Sequence, residues 1–462
     1  MLITFLLILT HNIFEKFVKI LYHIDMKTLS ELERELKTLP KGNVYIKKIN
    51  GNEYYYHQYF INGARVGSIV SKDKVNDLKA KIEYRRQIEK EIKLIKSRQK
   101  NVVLSKNAKD LTGSVMSGNT VVATFEQGTL TYIDEKLAPL VIKRTHRMEE
   151  FLKLRVIDMS RTNARILKRI LNIHVDDDYK AALYSYALSV NDNYWFKPKH
   201  SKLKYNELKF KDDSYFDAAL KGDTTASRFI NQLTPEITTT GSFEKGWKCI
   251  SGEWWLYKSG NQNQIFAELF SYHFSKLIGI DTAIYEYDDG YIRSKNFATR
   301  YNFEPIASLL GDNDDNNVIF YELYKIDKDI ARDYLKLIAF DAIVFNVDRH
   351  NENVGILRDR RNGKIISLAP NFDNNMAFYS NNEVTLNMPQ KDNMIKSFVN
   401  FLKNNEIAKN LYKETEFPEV TIKNLEDILS RVEIKINNEG EIITTLLARY
   451  KYVKSLFNTQ HN

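Results

Sequence analysis

Residues 346–373 (NVDRHNENVGILRDRRNGKIISLAPNFD) concentrate the side chains whose types and spacing could do chemistry. Asp348 and Asn353 stand five apart, just after an apolar, helix-like run at 331–346 (ARDYLKLIAFDAIVFN). A loop of that length can present a carboxylate to an attacking hydroxyl and an amide oxygen to Mg2+, two of the few parts that phosphoryl transfer needs. In a chain this rich in Asn the spacing alone is weak, and the residues that follow strengthen it. Gly355-Ile356-Leu357 reads as a strand, Arg358 to Gly363 as a charged turn, and Ile365, Ile366 and Leu368 as a second strand. That hairpin returns Pro370-Asn371-Phe372-Asp373-Asn374 beside the first loop. Asp373 then reads as a second metal ligand, where in isolation it would read as a turn or helix cap.

Upstream, Trp254-Trp255-Leu256-Tyr257-Lys258 reads as a strand ending in Lys. Glu268 lies ten residues on, inside a helix-like run (NQIFAELFSYHFSKLIGI). A strand Lys paired with a helix Glu is how protein kinases set a Lys on the ATP phosphates, and they use the Asp-x-x-x-x-Asn spacing as well. The bland alternative is an exposed Lys and a surface Glu. Lys258, Glu268, Asp348, Asn353 and Asp373 come in the order of kinase parts, and that joint order lifts the reading above chance. The segment 238–245 (TTTGSFEK), with Gly241, Ser242 and Lys245, is a candidate phosphate loop. It is neither a Walker A motif nor a Gly-x-Gly-x-x-Gly loop, and a plain β-turn competes equally.

These residues need elements to position them, and the hydrophobic pattern supplies candidates. Residues 43–70 read as a β-meander with Asn50-Gly51 and Asn62-Gly63 as hairpin turns. Residues 72–100 read as a long basic helix with eleven Lys/Arg against five Asp/Glu. A basic helix beside a Tyr-rich sheet could meet nucleic acid, although a solvated packing helix is the more ordinary reading. Residues 111–133 read as two strands around Ser117-Gly118-Asn119, and Met148 to Ile173 as helix. The loop at 311–317 (GDNDDNN) lacks EF-hand spacing and reads as solvated rather than calcium-binding.

The chain has 462 residues, enough for two or three domains with sizeable cores. Its net charge of +9 fits nucleotide or nucleic-acid partners, but Lys-, Asn-, Ile- and Tyr-rich composition accounts for it as well. Cys249 is the only cysteine, which excludes an internal disulfide and a cysteine zinc site and fits a reducing cytoplasm. There is no His-Glu-x-x-His pattern. The apolar start MLITFLLILT lacks a basic leader and is interrupted by Glu15, Lys16 and Lys19, so no stable membrane span is expected. Residues 1–25 read as an extension or a misassigned start, with Met26 as the alternative beginning.

From about residue 185 to 380 the chain resembles the HipA-like serine/threonine kinase family, whose fold is related to phosphatidylinositol kinases. Asp348-Arg349-His350-x-x-Asn353 and Leu368-Ala369-Pro370-x-Phe372-Asp373 are similar to that family's catalytic and metal motifs. Thr239-Thr240-Gly241-Ser242-x-x-Lys245 resembles its phosphate loop and Lys258 its ATP-contacting Lys. Ser189-Val190-Asn191-Asp192-x-Tyr194-Trp195 resembles a further family landmark. The resemblance implies an α+β, two-lobed protein-kinase-like fold, with a small β-rich N-lobe at 111–300 and a helical C-lobe at 301–462. The meander and basic helix, within 26–110, would be an accessory region. It implies ATP and Mg2+ as cofactors, Asp348 as base, Lys258, Glu268, Gly241, Ser242 and Lys245 at the nucleotide, and Asn353 and Asp373 at the metal. It also implies that Ser242 could itself be phosphorylated, and that an antitoxin-like or DNA-binding partner could exist. The phosphate loop departs from the Ala-rich form of the family's toxins, and residues 43–100 are foreign to its core. A phosphoinositide-type kinase of the same fold and a nucleic-acid-binding protein with a degenerate kinase shell are the competing expectations.

Overall fold

The β-branched and aromatic runs of the first hundred residues build a small sheet of their own. β1 (Asn43–Ile49), β2 (Asn52–Ile61) and β3 (Ala64–Val70) pair antiparallel in the order β1-β2-β3. The computed structural model describes residues 29–49, 52–61, 64–100, 111–126, 129–171, 182–224, 233–380, 383–384 and 386–457. The apolar start, Met26 and the turn residues Asn50-Gly51 and Asn62-Gly63 lie outside them. Two helices, Leu29–Thr38 and Val75–Lys100, pack on each other through Leu32, Ile88 and Ile92. Arg85 donates to the carbonyls of Leu36 (2.6 Å) and Leu39 (2.7 Å) at the end of the first helix. A cation there satisfies carbonyls that have no helical partner. These elements form one compact unit, Met1–Val103, and Leu104–Asn462 forms a second.

Among the described residues the second unit is mixed α/β, with three larger sheets, all antiparallel. β4 (Gly113–Ser117), β5 (Thr120–Glu126), β6 (Thr129–Tyr132) and β7 (Tyr194–Pro198) order as β6-β5-β4-β7. The segment 111–133 therefore holds three strands rather than the two expected. β8 (Lys245–Ile250), β9 (Glu253–Lys258), β10 (Tyr285–Asp288) and β11 (Tyr291–Lys295) order as β10-β11-β9-β8. β12 (Tyr301–Pro305), β13 (Gly355–Asp359) and β14 (Ile365–Leu368) form the third sheet. The last two are the hairpin read from sequence, and β12 adds to it from a distance. Among the described residues, the region after residue 300 is otherwise helical apart from a two-stranded pairing of Tyr379–Ser380 with Glu383–Val384.

The expected helix at 148–173 is broken into Met148–Lys153 and Thr162–Ile170. Asp158 accepts from the Ser160 backbone N–H at 2.8 Å, and the Ile157 N–H donates to Ile237 O at 3.1 Å. Both contacts divert the backbone from helical pairing, which the apolar periodicity cannot reveal. In the 311–317 loop, Asp315 accepts from the Asn317 N–H at 2.7 Å and caps the helix Asn316–Ile326. Among the described residues no helix is long and apolar enough to cross a membrane.

The main core joins the helix Gln262–Leu277 to the helices Lys328–Val344, Asn393–Asn404, Ile422–Arg431 and Glu439–Lys454. Phe266, Phe270, Phe274, Phe340 and Phe378 are fully buried at its centre with rings in contact. Each such side chain contributes about 1.5–3 kcal/mol of burial. That core carries two of the candidate site residues, since Glu268 projects from the first helix and the loop with Asp348 leaves the end of the second.

Candidate active site

Helix Lys328–Val344 begins at Asp327, whose carboxylate caps the Asp329 N–H at 2.7 Å. It ends where Phe345 turns left-handed, at φ 58°. Asn346 follows, fully buried, with its amide donating to Asp341 Oδ1 at 3.1 Å. The chain then turns tightly. The His350 N–H donates to Asp348 O (3.0 Å), the Asn353 N–H to His350 O (2.9 Å), and the Asn353 side-chain amide to Asp348 O (2.9 Å). Asn353 Nδ2 is thereby committed to the loop itself, which leaves Oδ1 to face elsewhere.

Arg349 holds this loop against the next. Its buried guanidinium takes Asp341 at 2.9 and 3.0 Å, then reaches the carbonyls of Asn353 (2.8 Å) and Phe372 (2.7 Å). It also donates to the side-chain oxygens of Asn371 and Asn374, each at 2.8 Å. Five groups on three segments share one planar fork, a task a lysine ammonium could not perform. Asn371 is fixed from behind by Ser275 Oγ at 3.0 Å and by a parallel bridge to Thr282. Asp373 itself is left-handed, at φ 60°, a conformation unfavourable for a non-glycine residue that neighbouring contacts must enforce. Its N–H donates to Tyr285 Oη at 2.9 Å, and the Asn374 N–H donates to Glu268 Oε2 at 2.9 Å.

Lys258, Glu268 and Asp373 meet here from a strand, a helix and a loop. Lys258 Nζ lies 2.6 Å from Asp373 Oδ1 and 3.5 Å from Glu268 Oε1. All three segments are buried enough for the charges to matter. Burial alone would lower the Lys258 ammonium, but Asp373, Tyr285 and Glu268 outweigh it and hold it charged. Burial would likewise raise Asp373, but Lys258 and Lys245 dominate and depress its carboxyl to about 2. Glu268 goes the other way, pushed up by burial against the pull of Lys258. Lys245 sits opposite Lys258 in the β8–β9 register, and burial, reinforced by the Lys258 charge, lowers its amine to about 7.

These groups open onto a cleft of about 240 Å³. Gly241, Ser242, Lys245, Lys258, Asp348, Asn353 and Asp373 all line it, while Glu268 does not line it but pairs with Lys258 from behind. Gly241 has φ 93°, a conformation that strains any side-chain-bearing residue, and an added Cβ would also meet the end of the Lys245 side chain, so glycine suits that turn. The loop is braced by Glu236, whose Oε1 accepts the Trp247 N–H at 2.8 Å, and by Arg161, which donates to Lys245 O at 2.6 Å. Burial pushes the Glu236 carboxyl up to about 8. Asp348, half-buried at the cleft, is raised above the ordinary carboxylate range mainly by burial, against His350.

Several contributors were invisible to spacing. Arg155 lies over the Phe151 ring, 4.3 Å from its centroid, and binds Asp192 at 2.7 Å on the cleft wall. The Ser189–Trp195 segment is a structural junction: the Asn193 N–H donates to Asn302, the Phe303 N–H donates to Asn191 O, and Asn296 donates to Val190 O. Arg358, buried in β13, binds Glu304, Tyr194 Oη (2.9 Å) and Ala138 O (3.0 Å), tying the third sheet to β7. Arg349 carried a signal through its place beside Asp348; Arg155, Arg161 and Arg358 bind Asp192, Lys245 and Glu304, which lie far from them in sequence.

Asp373 and Asn353 supply hard oxygen donors, and the buried Asn375 Oδ1, also on the cleft, has no hydrogen-bond partner among the described residues. Mg2+ suits such a set, since it takes one or two carboxylates and fills its remaining positions with water and substrate phosphates. Among the described residues no cluster of three or more His, Cys, Asp or Glu could form an all-protein metal cage.

No protein-family model matches the chain, and no curated protein matches it. Among solved structures it is similar to the Helicobacter pylori proinflammatory kinase CtkA, at 18% identity and a TM-score of 0.36, over 46% of this chain and 94% of that one. It is also similar to a chain of the Shewanella oneidensis MR-1 toxin–antitoxin HipA, HipB and operator DNA complex, at 12% identity and a TM-score of 0.49, over 75% of this chain and 100% of that one.

Proposed function

We propose that the chain transfers the γ-phosphoryl group of ATP to a Ser or Thr hydroxyl of a protein, with Mg2+ bound, in the manner of a HipA-like kinase. The observation that carries this reading is the buried ion-pair set of Lys258 with Glu268 and Asp373 on the cleft that Asp348 and Asn353 also line. Lys258 and Lys245 present two buried amines from adjacent strands, which suits a polyphosphate. Gly241 and Ser242 form the turn over them. Asp373 and Asn353 would hold Mg2+, which when bound would neutralise charge on the phosphate oxygens. Asp348 would accept the proton of the attacking hydroxyl. Its raised pKa favours that role, because a base works best when its pKa approaches the working pH.

Asp348→Asn should lower phosphoryl transfer by about 10²–10⁴ while leaving nucleotide binding in place. Transfer from γ-labelled ATP onto protein and lipid pools measures this, with Mg-ATP thermal stabilisation as the binding readout. Full activity in Asp348→Asn would sink the assignment of the base. Label appearing in phosphoinositide rather than protein would move the acceptor class and leave the site intact.

A further inference from the structure

Among the described residues, the β1–β2–β3 sheet carries one face that is largely open, with only Arg86 of the helix Val75–Lys100 reaching its edge to bond Asn43. Residues paired across antiparallel strands share a face, so the register sorts the side chains. Tyr45, Tyr56 and Ile69 form one row, Lys47 and Tyr54 a second, Asn43, Gln58 and Gly67 a third, and Phe60 and Arg65 a fourth. Lys47 lies over the Tyr56 ring at 4.9 Å, and Arg65 bonds Gln58, as a shared face requires. Phe60 is 68% exposed, Ile69 65% and Tyr45 46%, and Tyr54 is exposed too. The opposite face carries Val44, His57, Tyr59 and Val66, all partly buried, together with Ile46, which is 50% exposed.

An open sheet face with large apolar side chains is a liability unless something binds it. Its composition identifies what. It holds four aromatic rings, two cations and no carboxylate; Glu53, the acidic residue of β2, lies on the other face and pairs with Lys48. Aromatic faces beside cations match the two surfaces of an unpaired nucleotide strand, its base faces and its phosphates. Along β2 the even positions 54, 56, 58 and 60 point to this face at about 6.7 Å per step. An unstacked strand can follow that spacing. A duplex offers only base edges in its grooves, with its base faces stacked against each other. The helix Val75–Lys100 is the poorer candidate despite its charge, because Arg85, Arg86 and Lys81 are engaged by Glu89, Glu83 and Asp77.

We propose that this face of the β1–β2–β3 sheet binds single-stranded nucleic acid, stacking bases on Tyr45, Tyr54, Tyr56 and Phe60 and holding phosphates with Lys47 and Arg65. The site is independent of the cleft, so it stands or falls apart from the phosphoryl-transfer reading.

The test uses the full chain and fluorescence anisotropy with a labelled mixed-sequence oligonucleotide, single-stranded or annealed to its complement, over a range of salt. Single strand should bind more tightly than duplex. Tyr54→Ala and Phe60→Ala should each weaken single-strand binding by roughly 5- to 150-fold, the range for losing one stacked base. Lys47→Ala should lower the slope of log affinity against log salt by about 0.7, the single-strand value for one phosphate contact. Unchanged circular dichroism and Mg-ATP thermal stabilisation would show that each variant is folded. Tighter duplex binding, or single-strand binding indifferent to both aromatic changes, would overturn the proposal. So would no binding at low salt by the wild-type chain.

Discussion

At the scale of single residues, Lys245 offers the sharpest handle. Its amine is depressed to about 7 by burial and by the Lys258 charge, so much of it is neutral just above neutrality. A depressed amine means that the unfolded chain binds the extra proton between about 7 and the ordinary lysine value of 10.5, so its contribution to stability improves as pH rises through that window. A bound polyphosphate would favour the charged form and restore the proton. Mg-ATP binding near pH 8 should therefore take up as much as about one proton per site. Calorimetry in buffers of different ionisation enthalpy measures the uptake, and Lys245→Met should abolish it. Equal enthalpies in all buffers for the wild type would count against Lys245 as a phosphate contact. Asp373 behaves oppositely. Its carboxyl is depressed to about 2, so its contribution is present above the ordinary carboxylate value of 3.8 and is lost as pH falls from there towards 2.

At the scale of elements, the decisive piece is the clamp between the loop 346–353 and the loop 370–374. Arg349 supplies it, and its partner Asp341 belongs to the helix Lys328–Val344. Removing one member of a buried ion pair leaves the other uncompensated, which costs roughly 3–5 kcal/mol. Arg349→Ala should show that loss in urea denaturation. Arg349→Lys keeps the charge but drops the fork, so it should retain part of the stability and still lose Mg-ATP stabilisation. If Arg349→Lys binds Mg-ATP like wild type, the clamp does not position the site. The loop residues on either side of this clamp were legible in sequence because they sit in one short stretch. The clamp's other anchors were not, because Ser275, Thr282 and Asp341 reach it only through folding.

At the scale of the whole molecule, the C-terminal helix secures the helix before the site from the far side. Arg449, completely buried, pairs with Asp392 at 2.7 Å and donates to the carbonyls of Ala342 and Ile343, both at 2.6 Å. Those carbonyls close the helix Lys328–Val344, just before the turn that leads to Asp348. Arg449→Met should cost about 3–5 kcal/mol, since it leaves Asp392 buried and unpaired. Double replacement with Asp392→Leu should recover part of that loss, read from denaturant midpoints. The two compact units also make a prediction. The chain without residues 1–103 should keep its Mg-ATP stabilisation, about 2.7 kcal/mol at 100 times the Kd. It should lose any retention of single-stranded oligonucleotide. Loss of both together would mean that the second unit does not fold alone.

Local signals by themselves determined a good deal. Alternation and apolar runs placed β9, the β13–β14 hairpin and the helices that carry Glu268 and lead to Asp348, because strand and helix periods are written in consecutive residues. The order of Lys258, Glu268, Asp348, Asn353 and Asp373 was readable for the same reason. The tertiary structure decided that Lys258 touches Asp373 across 115 residues, that Lys245 joins it from β8, and that Arg349 binds two loops into one wall. It decided too that Tyr45, Tyr54, Tyr56 and Phe60 share the more exposed face of the first sheet with Lys47 and Arg65, since the pairing register, not composition, assigns side chains to faces. Charges and hydrogen bonds act through space, and at these sites the distances in space are unrelated to the distances along the chain.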